Sequence, residues 1–254
     1  MITGAIRSVG DFSKLPAGNP GVYIPTREIE GMGEKLRVGV LASGSGTDLQ
    51  SIIDASENQL IDAKVVVVLS DNAEAYALQR AKAHRIDAVF VDPKRRSRED
   101  HEKEITTILT KSKVDLVVGA GYMHLFSPTF VSTWFGKLIN IHPALLPAFK
   151  GTNAQGDALD YGVKITGCTT HFVDSDVDHG PIILQAAVRV LPDDDREHLA
   201  KRILEVEHQI LPRTIQLFAE QRLVMKGRKV SILPGESWVG KVDQLPHVLY
   251  PAGF

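Results

Sequence analysis

The chain has 254 residues, of which 43% are hydrophobic and 24% charged, the balance of a globular protein large enough for one well-filled domain with tails. Its formal net charge of -2 excludes a bulk electrostatic pull toward nucleic acid or an anionic membrane, and no apolar run approaches the roughly 20 residues of a membrane-spanning helix. The single cysteine, Cys168, excludes an intramolecular disulfide and a zinc site built from cysteines.

Residues 1–35 scatter Pro16, Gly18, Pro20, Gly21 and Pro25 without a period and read as an N-terminal extension, on the surface or poorly ordered. They lack the continuous apolar stretch of a secretory signal, so a cytoplasmic location is expected. From Arg37 the pattern changes. RVGVLA (37–42) is a short apolar strand ending at a Gly-rich loop, SGSGTD (43–48), and Leu49, Ile52, Ile53 and Ala55 mark the helix behind it. AKVVVVLS (63–70) is nearly continuous in β-branched residues, as a strand buried on both faces requires. A helix near 74–84 leads to the strand DAVFVD (87–92), and a helix over 97–112 leads to VDLVVGAG (114–121) and KLINIHP (137–143). The run Lys94-Arg95-Arg96 between them reads as a solvated surface.

VKITGCTTHFVD (163–174) and PIILQAAVRVL (181–191) read as further strands, partly antiparallel, and a long helix covers about 195–220. Residues 226–254 carry Pro and Gly in short order and read as a C-terminal tail around the domain at 36–225. Strands alternating with helices predict an α/β fold: an open, twisted, mostly parallel Rossmann-like sheet with helices on both faces.

Four segments could carry chemistry. A Gly-rich turn between a strand and a helix, as in 43–48, exposes backbone N–H groups to a phosphate; the alternative is a tight turn capped by Thr47 or Asp48. Asn140 and His142 stand two apart at the end of a strand, so both side chains share one face. An amide can donate to a developing oxyanion and an imidazole can move a proton. The acidic loop 174–180 places Asp174, Asp176 and Asp178 at alternate positions. His179 and Gln185 stand where a calcium loop needs Gly and Glu, so calcium is rejected; one carboxylate reaching His142 is the alternative to a solvated loop. Glu207-His208 lies in the long helix, where charged residues usually face solvent. No motif for a Ser or Cys nucleophile or a metal ligand set accompanies them, so direct transfer with acid–base help fits best.

INIHPALLPAFKG (139–151) and GVKITGCTTHFVDSDVDHGPIILQ (162–185) resemble the two long signatures of the folate-dependent formyltransferases. RVGVLASGSGTDLQSIIDA (37–55) resembles that family's first strand and phosphate loop. EVEHQILP (205–212) is similar to the branch that formylates 5'-phosphoribosylglycinamide in purine synthesis. The resemblance implies transfer from 10-formyltetrahydrofolate, as co-substrate and without metal, with Asn140, His142 and Asp178 as the catalytic set. It implies that Gly46, Thr47, Asp48 and Glu207 bind the ribonucleotide. Arg98, Met123, His124, Leu125, Phe126, Asn140 and Asp174 would border the folate. Small molecules are the expected partners, with no nucleic acid or membrane, for a monomer or homodimer. Hydrolysis of 10-formyltetrahydrofolate, or formylation of a related amine, is the alternative. The chain departs from the family pattern at Thr47-Asp48, where Ser-Asn is usual, at His124, where Arg is common, and at Ala144, where Ser is usual.

Overall fold

The computed structural model describes residues 22–23, 34–235, 245 and 248–250. Most of the expected extension and much of the tail lie outside the described residues. A two-residue strand, β1 (Val22–Tyr23), precedes a strictly alternating run: β2 (Leu36–Leu41), α1 (Thr47–Glu57), β3 (Ala63–Ser70), α2 (Tyr76–Ala83), β4 (Asp87–Phe90), α3 (Arg98–Lys111) and β5 (Leu116–Gly119). Then follow α4 (Pro128–Thr133), β6 (Leu138–His142), α5 (Ala154–Tyr161), β7 (Ile165–Phe172), β8 (Ile182–Arg189) and α6 (Arg196–Ala219). The hairpin β9 (Leu223–Lys226) and β10 (Lys229–Ile232) and the short β11 (Val248–Leu249) complete the described elements.

One sheet collects the strands in the order β1-β9-β10-β8-β7-β6-β5-β2-β3-β4, with β11 on β8. Strands β6, β5, β2, β3 and β4 run parallel, each pair in the register of a crossover unit. Strand β7 turns back antiparallel to β6, and β8 runs antiparallel to β7. The expected α/β sheet with antiparallel late strands is therefore the observed one. The chain winds outward from β2 to β4, then returns to place β5 on the other side of β2. Ligands of open α/β sheets bind at such a reversal, beyond the carboxyl ends of the strands.

Both faces of the sheet are covered. On one, Leu49, Ile52 and Ile53 of α1 and Leu199, Ile203, Ile210 and Ile215 of α6 pack on Val38, Val40, Val118 and Ile139. On the other, Ile105 and Leu109 of α3 and Phe130 and Trp134 of α4 cover Leu41, Val67, Val117 and Leu138. Alternate residues of the β-branched strands serve the two cores, which is why those strands read as continuous apolar runs. Among the described residues no helix is long and apolar enough to cross a membrane.

Three short elements escape the periodicity of the sequence. Helix α4 spans six residues, less than two turns, but carries a Ser127 cap that accepts from the Phe130 amide and a proline in its first turn. Helix α5 ends at Gly162, whose φ of 80° is the left-handed stop that glycine favours. The β9–β10 hairpin straddles residues 225 and 226, where the tail was expected to begin, and its turn uses Gly227 at φ 57°.

Gly167 of β7 shows how closely the strands approach: a Cβ there would lie 1.9 Å from the Ala186 carbonyl oxygen of β8. Neither backbone can yield without losing ladder bonds. Gly167→Ala is expected to lower unfolding free energy by at least about 2 kcal/mol, read as a lower urea midpoint; an unchanged midpoint would contradict this packing.

Candidate active site

The carboxyl ends of β2, β5 and β6 open onto one crevice, and their loops are tied together. Ser43, after β2, donates its backbone N–H to the Gly121 carbonyl and accepts from the Met123 N–H at 2.9 Å. At the end of β5, Gly119 lies opposite Asn140 of β6, and a Cβ there would come within 2.8 Å of Asn140 Oδ1. The missing side chain is what makes room for the Asn140 amide.

Asn140 and His142 share one face of β6, as their spacing requires. The antiparallel register with β7 puts His171 opposite Asn140 and Thr169 opposite His142. His171 Nδ1 donates to the Phe172 carbonyl at 2.8 Å, which leaves Nε2 as the acceptor for Asn140 Nδ2 at 3.3 Å. Burial pushes the His171 pKa down, so the neutral ring that this pattern needs is the stable one. One hydrogen of the Asn140 amide is thereby committed and the other remains for a ligand.

Asp178 joins the two histidines. Its Oδ2 lies 3.3 Å from His142 Nδ1 and accepts from the Gly151 N–H at 2.9 Å, and its Oδ1 lies 3.8 Å from His171 Nε2. Asp178 adopts φ 45°, a left-handed conformation uncommon outside glycine, which the surrounding contacts must hold. His142 Nε2 faces the Phe149 carbonyl oxygen at 2.8 Å. Both nitrogens of the imidazole therefore face oxygen atoms. His142 is only 4% exposed, and it is Asn140, His171 and Asp178 that line the cleft in front of it. The segment after β6 is braced from β7 and β8: Thr169 Oγ1 donates to the Ala144 carbonyl, and Gln185 Nε2 to the Leu146 carbonyl.

The cleft has a volume of about 330 Å³, walled by Tyr122, Leu125 and Phe126 on one side and by 173–178 on the other. Tyr122, Phe126 and Phe130 stack in series, with ring centroids 5.5 and 4.9 Å apart. A flat, partly apolar ligand suits such a slot. Arg98 and His124 stand at its rim, and His124 Nε2 pairs with Asp71 Oδ2 at 2.8 Å. Asp174 lines the cleft and accepts from His179 Nδ1. The Met123 side chain is 61% exposed and lies apart from the lining. Among the described residues no group of His, Cys, Asp or Glu could hold a metal ion.

The phosphate-loop candidate sits at the start of α1. Gly46 is the N-cap at φ 67° with no side-chain cap, so neither Thr47 nor Asp48 caps the helix and the first-turn N–H groups stay open. A Cβ on Gly46 would meet Ala77 of α2 at 2.7 Å. Arg80 Nε donates to the Ser45 carbonyl at 2.9 Å and fixes the loop from behind. Glu207, expected on a solvent-facing helix surface, is instead 6% exposed. Burial, and then the nearby Asp48, push its carboxyl well above the ordinary range. Burial raises Asp48 to about 7.

The sequence left His171, the Phe149 carbonyl and the Gly151 N–H out of the site. A histidine in an otherwise apolar and hydroxyl-bearing strand is the one signal that could have found the first. The two backbone groups depend on a loop path that no residue type announces.

The geometry has close parallels. Residues 36–215 match the family described as formyl transferase. A phosphoribosylglycinamide formyltransferase of Haemophilus influenzae is 42% identical over 191 residues, covering 75% of this chain and 90% of that protein. The trifunctional purine biosynthetic protein adenosine-3 of Drosophila melanogaster is 46% identical over 184 residues, 71% of this chain but 14% of that protein, so the chain spans a small fraction of such larger relatives. The crystal structure of glycinamide ribonucleotide transformylase 1 from Symbiobacterium toebii superposes with a TM-score of 0.79 at 48% identity, over 82% of this chain and 99% of that one.

The buried Asp48 sets a stability signature. Its carboxyl rises from 3.8 to about 7 in the fold, so the folded state binds the extra proton and stability falls as pH climbs from about 4 to about 7. Asp48→Asn removes that loss. Its gain over the parent chain is expected to be on the order of 2 kcal/mol at pH 8 and much smaller at pH 4.5, from denaturant unfolding at both values; an equal gain at both would contradict the burial.

Proposed function

The chain belongs to the formyl transferase family, and from that premise we propose that it transfers the formyl group of 10-formyltetrahydrofolate to the amine of 5'-phosphoribosylglycinamide. The observation that carries the reading is the set at the mouth of the sheet: Asp178 stands 3.3 Å from the His142 imidazole and 3.8 Å from His171, which in turn meets the Asn140 amide at 3.3 Å.

The folate occupies the slot between Tyr122–Phe126 and residues 173–178, with Arg98 and His124 at the rim. The phosphate of the ribonucleotide sits at the open amides of Gly46, Thr47 and Asp48, and its ribose or glycinamide end reaches toward Glu207. The two ligands meet at Asn140. As the amine attacks the formyl carbon, negative charge develops on the formyl oxygen, and the free Asn140 hydrogen points a donor at it.

His142 supplies the second donor and protonates the folate nitrogen as its bond to the formyl carbon breaks, and the proton given up by the attacking amine returns to the ring. For that, one ring nitrogen must exchange its present partner for substrate: Nε2 faces the Phe149 backbone carbonyl alone, whereas Asp178, on the Nδ1 side, is held by the Gly151 amide as well. Asp178 orients the ring and balances its positive charge, the part a carboxylate plays beside any catalytic imidazole. His171, neutral and buried, orients Asn140 rather than moving protons.

Three variants test these roles in an assay of amine-dependent tetrahydrofolate release. His142→Ala and Asp178→Asn are each expected to lower kcat by at least ~10² while folate binding persists. Gly119→Ala displaces the Asn140 amide and is expected to lower kcat by ~10²–10³, the loss typical of one oxyanion donor, with the fold intact. Full activity in both His142→Ala and Asp178→Asn would overturn the mechanism. Formate release at the full rate without any amine would replace transfer by hydrolysis.

A further inference from the structure

At the phosphate loop this chain carries an acid that sits poorly with a phosphate dianion. Asp48 is the second residue of α1, in the turn whose open N–H groups face the ligand. Its Oδ1 is buried without a hydrogen-bond partner and lies 3.8 Å from His208 Nε2, which is likewise buried and unpartnered. The separation is too long for a hydrogen bond.

Among the described residues no cation within hydrogen-bond distance balances this carboxylate. His208 is the nearest candidate, and burial together with Arg80 pushes its pKa down, keeping the ring neutral. Arg80 itself is turned elsewhere, donating to the Ser45 carbonyl and to Gln50 Oε1 and covering the Tyr76 ring. The other titratable groups around the spot are acids and a thiol: Glu207 and Glu205 of α6, Asp54 of α1 and the buried Cys168 of β7. In the empty loop the α1 N-terminus favours the Asp48 anion. A bound phosphate takes over those same amides and adds like charge beside the carboxylate.

We propose that Asp48 makes phosphate binding in this protein proton-coupled: the phosphate of the ribonucleotide binds at the Gly46–Asp48 amides together with one proton, held by Asp48. The inference rests on the phosphate-loop reading and adds a specificity that the loop alone lacks. With the proton in place, the Asp48 carboxyl is a neutral group able to donate a hydrogen bond to the ligand. Without it, the loop repels phosphate. Affinity therefore falls as pH rises through neutrality, opposite to the trend set by ionisation of the phosphate itself.

Calorimetric titration with ribose 5-phosphate, which has no amine to titrate, tests this. At pH 8, in buffers of different ionisation enthalpy, the parent chain is expected to take up close to one proton per phosphate bound. Asp48→Asn is expected to take up none and to bind at least about tenfold more tightly at that pH. Binding without proton uptake in the parent, or unchanged uptake in Asp48→Asn, overturns the inference and leaves the phosphate loop standing. No binding heat in any buffer removes the loop assignment and the inference together.

Discussion

A single carboxylate ties the site together. Asp178 accepts the Gly151 amide, stands against His142 and reaches His171, so one side chain links the acidic loop, the loop after β6 and the strand pair β6–β7. Its left-handed backbone is tolerated because Gly180, two residues on, lets the loop turn against β7: a Cβ there would lie 1.8 Å from the Phe172 carbonyl oxygen. Without that turn the carboxylate would point to solvent, and His142 would face only a backbone carbonyl. The strain is local, and the contacts that hold it are the chemistry.

The sheet explains why these groups meet. Parallel strands deliver their loops to one edge, and the reversal between β2 and β5 opens a crevice there. Antiparallel β7 then lays His171 across from Asn140. Two glycines serve the same end by subtraction. Gly119 leaves space for an amide, and Gly46 lets α1 start against α2.

Much of this was legible in the chain. The β-branched runs and the loops between them dictated the parallel half of the sheet, and the Asn140–His142 spacing placed both side chains on one face. Short elements were not legible, because α4 and α5 have too few turns to show a period and are defined by their caps. Within the site, side chains in strands were readable and loop backbone was not. The Gly151 amide and the Phe149 carbonyl act through conformation alone. Glu207 shows the opposite failure: as a charged helical residue it reads as solvated, yet α6 packs against α1 and buries it beside Asp48.

Transfer and hydrolysis differ only in which nucleophile stands before Asn140 when the formyl oxygen is polarised. If the loop at Gly46–Asp48 holds the ribonucleotide phosphate as proposed, the amine is held there and leaves no place for water. Carbon-13 in the formyl group, followed by NMR during a single turnover with 5'-phosphoribosylglycinamide, reads that choice directly. The label is expected to appear as an N-formyl amide of the ribonucleotide, with little free formate. Label recovered as formate, at the same rate with or without the amine, would contradict the account.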